Sequence, residues 1–472
     1  QRPAKKPYVF YDGPPFATGL PHYGHIVASL MKDAVPRYFT MRGRKVDRRW
    51  GWDCHGLPIE NIIEKDLNLP GRKEIEEYGV ANFNEACRAT VLTYAKEWET
   101  VIARMGRWVD MQNPYKTMDR DFMESVWWVF GELWKKGLIY KGKKAMHVCP
   151  RCETPLSNFE VTQGYADVKD ISATVAFCIK KSNLSLPEGT SILAWTTTPW
   201  TLPGNVALAV GSDISYTLVE VIAEDGSEDY YIAAKDRVSE VFDGKQVVLK
   251  ESFSGASLVG TEYEPVFPYF KDLPGMESAF RVVSADFVST ESGTGIVHIA
   301  PAFGEDDYRV GQEMGVPFIQ HVRMNGVFTE DVLDFAGMHV KDKENPQTAD
   351  IAIIKYLAGK GALFSKKKIE HSYPHCWRCD SPLLNYATDS WYVSVTKIKE
   401  TLLVTNVNTA WVPAHMRDGR FGEWLSGARD WAISRNRFWG TPLPVWVCGS
   451  GKGCAEMVFS SAKDLENLAG KL

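Results

Sequence analysis

Two histidines three residues apart, His22 and His25, bracket Gly24 in the string PPFATGLPHYGH at residues 14–25. At the start of a helix such a place offers unpaired backbone N–H groups and the positive end of the helix dipole. Gly24 would let a ligand approach the backbone closely. Two imidazoles there suit the polyphosphate of a nucleotide and could stabilise charge growing at phosphorus during a displacement. The plainer reading is a Gly/Pro-rich turn with two surface histidines. No Walker-type G-x-x-x-x-G-K-[ST] string occurs, and GSGKG at 449–453 lacks that spacing and a preceding strand. It reads as a loop, so a nucleotide would depend on the histidine loop.

A second group is WGWDCHGLPIE, residues 50–60. Asp53 falls at the end of an expected strand, where α/β domains place ligand-binding groups. A carboxylate there could hold the ammonium of an amino acid, or simply cap the next turn. The third group joins WTTTPWTLPGN, residues 195–205, to GTGIVHIAPAFGEDDY, residues 293–308. Hydroxyls at Thr196, Thr197 and Thr198 could line a small pocket or position a water. His298 and the acidic trio Glu305, Asp306 and Asp307 could complete it. Hydrolysis of an amino acid ester needs an ammonium anchor, a positioned water and oxyanion stabilisation. Ordinary strand threonines beside a solvated acidic loop are the alternative.

The fourth group is two C-x-x-C knuckles, Cys149-Pro-Arg-Cys152 and Cys376-Trp-Arg-Cys379. Four thiolates from two such turns make a tetrahedral zinc site with no open position, hence a structural one. Zinc there would clamp the ends of the long segment between the knuckles and close a very long loop. Two unrelated pairs of core or redox thiols are the alternative. His147 and His375 stand beside the knuckles as replacement ligands. Cys448 and Cys454 form a looser half-site, without partner cysteines before Leu472.

The elements that must carry these groups follow from pattern. Residues 7–12 read as a strand, residues 24–42 as a helix interrupted or not at Pro36, and residues 45–50 as a second strand. Helices are expected over about 82–106 and 119–136, the latter N-capped by Asp119. From 171 to 300 short runs rich in Val, Ile, Thr and Tyr alternate with turns, and 348–360 returns to helix. FWGTPLPVW is too proline-rich for a central element. A β-rich insertion over about 165–365 thus interrupts an α/β domain. The expected parts are 1–164 with the first knuckle, 165–365, and 366–472 with the second.

Composition narrows the class. With 472 residues, 44% hydrophobic and 24% charged, the chain fits about three soluble domains. A formal charge of −5 argues against binding nucleic acid through bulk charge, though not against local basic patches. Arg42, Arg44, Lys45, Arg48 and Arg49 make one such stretch. No apolar run approaches the ~20 residues a membrane helix needs. Nine cysteines are too sparse for a disulfide scaffold and fit a reducing compartment, so a cytoplasmic location is expected.

Together these strings resemble the class I aminoacyl-tRNA synthetases, within them the isoleucyl type. PPFATGLPHYGH looks like the family's nucleotide-binding string, with His22-Tyr23-Gly24-His25 in place of His-Ile-Gly-His. WDCHGLPIE is similar to the isoleucyl form of the amino acid site, and DWAISRNRFWGTPLP to the stretch after the insertion. The valyl type carries PPPN-type and DHAG-type strings instead. The resemblance implies a Rossmann-type α/β catalytic domain interrupted by a β-rich editing domain, with zinc knuckles at the insertion stem. It implies ATP with Mg2+, L-isoleucine and tRNA(Ile) as substrates, structural zinc, no membrane, and a monomer. His22, Gly24 and His25 would bind ATP, with the two histidines stabilising the adenylation transition state. Pro14 would line the isoleucine pocket and Asp53 hold its ammonium. Thr196, Thr197 and Thr198 would line the editing pocket, Asp307 would anchor the misacylated ammonium, and His298 would exclude isoleucine's extra methylene. A hydrophobic pocket discriminates one methylene poorly, which is why such an enzyme edits; synthetases of this family are the standard illustration of that limit. The family's Lys-Met-Ser-Lys-Ser loop is not in the chain. The expectation is therefore a piece trimmed at both ends, in which hydrolysis is better supported than adenylation. A deacylase alone, or a tRNA-binding zinc protein, are the rival readings.

Overall fold

In the computed structural model, which describes residues 7–69, 71–223, 225–449 and 456–470, two units form. One contains residues 1–141 and 391–472, the other residues 142–390.

In the first unit the PPFATGLPHYGH loop feeds the helix Tyr23–Met41, which continues through Pro36. The strand Arg49–Trp52 pairs in parallel with Asp110–Lys116. Isolated parallel bridges join Pro7 to Lys45 and Phe16 to Asp53. The strand expected over 7–12 is thus one bridged residue. A strand exists only through a paired neighbour, and none runs beside the rest of this segment among the described residues. The second expected strand begins four residues and ends two residues further on than expected, at Arg49–Trp52.

The helix expected over 82–106 is two helices, Val80–Thr90 and Ala95–Arg104. At the break the Tyr94 N–H donates to the Ala17 carbonyl at 3.1 Å instead of continuing the helix ladder. Trp98 Nε1 then donates to the Gly19 carbonyl at 2.9 Å. The break therefore docks the histidine loop. The core beneath it gathers Trp50, Trp52, Ile59, Phe83, Cys87, Trp98, Ile102 and Trp439. The helix Arg120–Lys135 matches expectation, but its N-cap residue Asp119 turns back to accept the Lys116 N–H at 3.2 Å rather than capping.

The second unit is built on a ten-stranded sheet. Six strands close on themselves, in the order Ser191–Thr196, Ile296–Ile299, Ala207–Val210, Arg281–Ser284, Glu262–Tyr263 and Tyr165–Lys181, the last pairing again with the first. Closure removes the exposed edges and encloses an apolar interior that includes Val175, Phe177, Ile192, Leu208, Val282 and Ile296. The helix Thr348–Gly359 sets Ile353, Ile354 and Leu357 into the same core. The long strand Leu363–Pro374 runs antiparallel along Tyr165–Lys181, from Leu363 opposite Val175 to Pro374 opposite Tyr165. Among the described residues no helix is long and apolar enough to cross a membrane.

Candidate functional sites

His22 occupies the N-cap of the helix Tyr23–Met41 in an extended conformation. Its Nδ1 accepts the Gly24 N–H at 3.1 Å, and His25 Nδ1 accepts the His22 N–H at 3.2 Å. The rings sit 3.7 Å apart, and His25 lies edge-on to Trp98 at 4.8 Å. Because each Nδ1 lone pair is taken by a backbone donor, each neutral imidazole carries its proton on Nε2. Two Nε2–H donors therefore accompany the helix N-terminus, as an anionic ligand requires. Partial burial, with help from His22 and Lys32, lowers the His25 pKa and keeps it neutral. A Cβ on Gly24 would stand 3.0 Å from the His22 ring, so glycine is what lets that ring fold over the backbone.

The segment leading into the helix is fixed by Asp12, which pairs with Lys32 at 2.5 Å and with Arg107. The Asp12 carbonyl accepts the Tyr115 hydroxyl at 2.7 Å. The Asp53 N–H donates to the Pro15 carbonyl at 2.9 Å. Backbone pairing thus brings the Pro14–Phe16 segment alongside Asp53. Burial raises the Asp53 pKa, against the lowering effect of the His55 and Cys54 N–H groups and the Thr117 hydroxyl. A partly desolvated carboxylate held by neutral donors is suited to receive an ammonium.

Sequence reasoning did not single out Glu60. Its buried carboxylate accepts the Phe438 and Trp439 N–H groups at 2.9 and 2.7 Å, with Arg437 at 3.6 Å. The Trp439 carbonyl in turn accepts the Gly56 N–H at 3.2 Å, and its ring lies 5.1 Å from His55. The partners are almost 380 residues apart, so no local spacing announces them. Glu60→Ala would leave two buried N–H groups without an acceptor, at about 1–3 kcal/mol each. We expect about 3 kcal/mol lost in urea unfolding of the first unit, and less than half of that for Glu60→Gln. Equal losses for both would exclude the acceptor role.

In the second unit the strands Ser191–Thr196 and Ile296–Ile299 run parallel, paired at Trp195 and Val297. The loops that follow them therefore leave from the same end of the barrel. One carries Thr197, Thr198 and the 3-10 turn Pro199–Gly204, the other leads to the helix Glu305–Met314. Thr196 is buried, while Thr197 and Thr198 are half-buried. Thr196 and Thr198 Oγ1 lie 3.3 Å apart. Thr201, in the same string but not singled out from it, donates to the Thr198 carbonyl at 2.8 Å. Its oxygen is then an acceptor toward His298 Nε2 at 2.8 Å, which fixes His298 as the Nε2–H tautomer. Burial lowers the His298 pKa to about 4, so the ring is neutral near neutral pH.

Of the acidic trio, only Asp307 turns inward; Glu305 and Asp306 are exposed. Asp307 Oδ2 accepts the Ala300 N–H at 2.9 Å. Its carboxylate folds over Gly304, where a Cβ would come within 2.8 Å of it. Burial pushes the Asp307 pKa up to about 7, outweighing the helix N-terminus that would lower it.

The knuckles also meet. All four sulfurs of Cys149, Cys152, Cys376 and Cys379 lie within 4.8 Å of one another. A tetrahedron of thiolates about 2.3 Å from zinc has edges of about 3.8 Å. The Cys149–Cys379 and Cys152–Cys379 separations, 3.5 and 3.9 Å, bracket that edge, so the donor set fits zinc. Each knuckle ends in an acidic residue at positive φ, Glu153 at 45° and Asp380 at 58°, so the two turn alike. Leu156, Val161 and Leu383 pack around the sulfurs. Neither His147 nor His375 belongs to the group. One expectation is corrected here. The long loop is already closed by the strand ladder up to Tyr165 and Pro374, and by the His375 N–H on the Gly164 carbonyl at 2.7 Å. A metal would tie only the short ends beyond that ladder. Cys448 is exposed, and Cys454 lies outside the described residues.

A family model for class I tRNA synthetases (I, L, M and V) matches residues 1–469. The chain is 51% identical to an isoleucine–tRNA ligase of Treponema denticola, over 99% of this chain and 44% of that one. It is 52% identical to the isoleucine–tRNA ligase of Bdellovibrio bacteriovorus, over 99% and 43%. Among solved structures, the LeuRS of Agrobacterium radiobacter K84, in a ternary complex with tRNA and LeuAMS, is similar with a TM-score of 0.32 and 16% identity. That likeness covers 96% of this chain and 49% of the other. The chain thus spans less than half the length of the curated relatives it matches. With a family match that runs nearly end to end, the chain belongs to the class I tRNA synthetases, the family of the isoleucine, leucine, methionine and valine enzymes.

Proposed function

We propose that this chain is the portion of an isoleucine–tRNA ligase that holds the ATP and isoleucine sites and the hydrolytic editing site. The first unit is then the start of a Rossmann-type catalytic domain. The His22 and His25 Nε2–H groups donate to the phosphates of ATP, which arrives with Mg2+. The isoleucine carboxylate attacks the α-phosphorus, pyrophosphate leaves, and Asp53 holds the ammonium while Pro14 lines the side-chain pocket. A terminal ribose hydroxyl of tRNA(Ile) then attacks the activated carbonyl, loses its proton and takes the isoleucyl group as an ester, and AMP leaves. Zinc on the four cysteines is structural: it orders the two knuckles and takes no part in either reaction. A cytoplasmic monomer is the expected working state.

The second unit removes the errors. Asp307 anchors the ammonium of a valyl ester, the Thr196–Thr198 hydroxyls hold the attacking water and the ester oxygens, and neutral His298 limits the room for a larger side chain. Water adds to the ester carbonyl, the ribose oxygen leaves with a proton, and valine is released. The observation that carries this reading is the common exit of the threonine loop and the Asp307 loop from two parallel strands, joined by the Thr201–His298 hydrogen bond.

The test is hydrolysis of valyl-tRNA(Ile) against isoleucyl-tRNA(Ile) by this chain without ATP. Selective loss of valine is expected, by about a hundredfold, as one methylene in a well-shaped pocket can supply. Equal hydrolysis of both esters, or of neither, would overturn the editing assignment.

A further inference from the structure

We infer that Asp350, held by Lys341 and Asp170, is a positioning residue that caps the threonine turn from a distance and so frees the Thr198 hydroxyl for the ligand. The inference rests on the reading of the second unit as a deacylase. Thr198 is the N-cap residue of the 3-10 turn Pro199–Gly204. At that position a threonine ordinarily spends its own hydroxyl on the first free N–H groups of the turn. Here it makes no such bond. The Trp200 N–H instead donates to Asp350 Oδ1 at 3.1 Å, across 150 residues of chain. Thr198 Oγ1 is left beside Thr196 Oγ1, at 3.3 Å.

Asp350 is held in that orientation. Its other oxygen accepts from Lys341 Nζ at 3.2 Å, and Lys341 donates again to Asp170 Oδ1 at 2.8 Å. His371 Nε2 meets the second Asp170 oxygen at 3.1 Å. The Lys341, Asp170 and Asp350 side chains are 2%, 6% and 0% exposed. Such a buried triad is poor value as plain stabilisation, since apolar side chains of the same volume usually serve as well. What apolar side chains could not supply is a fixed acceptor aimed at one backbone N–H. Burial raises the Asp350 pKa to about 6 even beside Lys341, and the ammonium is what holds the carboxylate ionised near neutral pH. The three side chains come from the barrel strand Tyr165–Lys181, the segment before the helix Thr348–Gly359, and that helix itself. They tie the threonine turn to the rigid part of the unit.

The experiment compares Asp350→Leu, Asp350→Asn and Lys341→Met in the whole chain, with valyl-tRNA(Ile) as substrate. In Asp350→Leu the Trp200 N–H must find another acceptor, and Thr198 Oγ1, at the N-cap of the turn, is the local candidate. We expect kcat to fall about thirtyfold with KM within threefold, as for lost orientation rather than lost binding. Asp350→Asn keeps a carbonyl acceptor and should recover to within about fivefold of wild type. Lys341→Met, which frees the Asp350 side chain to turn, should fall about tenfold. A folded Asp350→Leu with wild-type kcat would overturn the inference, as would equal losses in the Leu and Asn variants. If Asp350→Leu does not fold, Lys341→Met decides alone, and a wild-type kcat there overturns it. If the wild-type chain hydrolyses neither ester, the deacylase reading fails instead. Amide exchange at Trp200 then tests the cap itself: at least tenfold faster exchange in Lys341→Met supports it, and unchanged exchange overturns it.

Discussion

Asp307→Ala should slow hydrolysis of valyl-tRNA(Ile) about a thousandfold, since deleting one partner of a desolvated charge pair costs about 4 kcal/mol. The carboxylate lies in the first helical turn beyond the barrel and accepts the Ala300 N–H. An incoming ammonium would be its missing counter-charge. The pH dependence follows from the same burial. With a pKa of about 7 in the free protein, Asp307 is increasingly protonated below neutrality and then cannot anchor a cation. Deacylation kcat/KM should therefore fall as pH drops through about 7, approaching tenfold per unit at lower pH, and Asp307→Asn should lose this limb together with the activity.

Stability moves the opposite way. Between about pH 4 and 7 the folded chain holds a proton on Asp307 that the unfolded chain has released, so this group's contribution declines as pH rises through that window. Asp307→Asn has nothing to ionise. Its thermal midpoint should exceed that of wild type at pH 8 and match it near pH 4. A variant that loses activity while gaining stability separates a ligand anchor from a structural carboxylate. Retained activity in Asp307→Ala, or a lower midpoint for Asp307→Asn at pH 8, would remove Asp307 from the site.

Chemistry was legible where it depends on residues close in sequence. The His22–His25 pair reports a helix N-terminus directly, because the cap, the glycine and both rings lie within four residues. The two knuckles announce themselves through equal spacing. The helix Arg120–Lys135 was readable from its apolar period. What could not be read depends on partners brought from far away. Glu60 serves backbone N–H groups at 438 and 439, and Asp350 serves one at 200. Both look like ordinary surface acids on helices until the fold buries them. The break between Val80–Thr90 and Ala95–Arg104 has the same origin, since the carbonyl that draws the Tyr94 N–H belongs to Ala17. Within the acidic trio, composition alone could not separate Asp307 from its exposed neighbours, because the distinction is made by Gly304 and the strand end at Ala300.

Cys376→Ser should lower bound zinc from about one ion per chain to near zero, since structural sites of this kind need all four thiolates. How much stability goes with it depends on which loop the metal closes. If the ion alone joined the ends of the segment between the knuckles, over 220 residues long, chain entropy would make it worth about 5 kcal/mol. The ladder from Val175 and Leu363 down to Tyr165 and Pro374 has already joined them. The ion then closes only the ends between Cys152 and Tyr165 and between Pro374 and Cys376. A loop of about fifteen residues is worth about 3 kcal/mol. The loss should therefore be local. Amide exchange should speed up across residues 149–164 and 375–383, where the Cys152 N–H on Cys149 Sγ and the Lys343 ammonium on the Cys379 carbonyl depend on the knuckle geometry. The barrel strands should keep their protection, and deacylation should stay within about threefold of wild type, because Thr201, His298 and the Ala300 N–H, which order that site, are held within the barrel. Chelation of the wild-type chain should reproduce the same pattern. Wild-type metal content in Cys376→Ser would refute the four-cysteine site. Collapse of the whole barrel on metal loss would show instead that the ion, and not the ladder, holds the insertion closed.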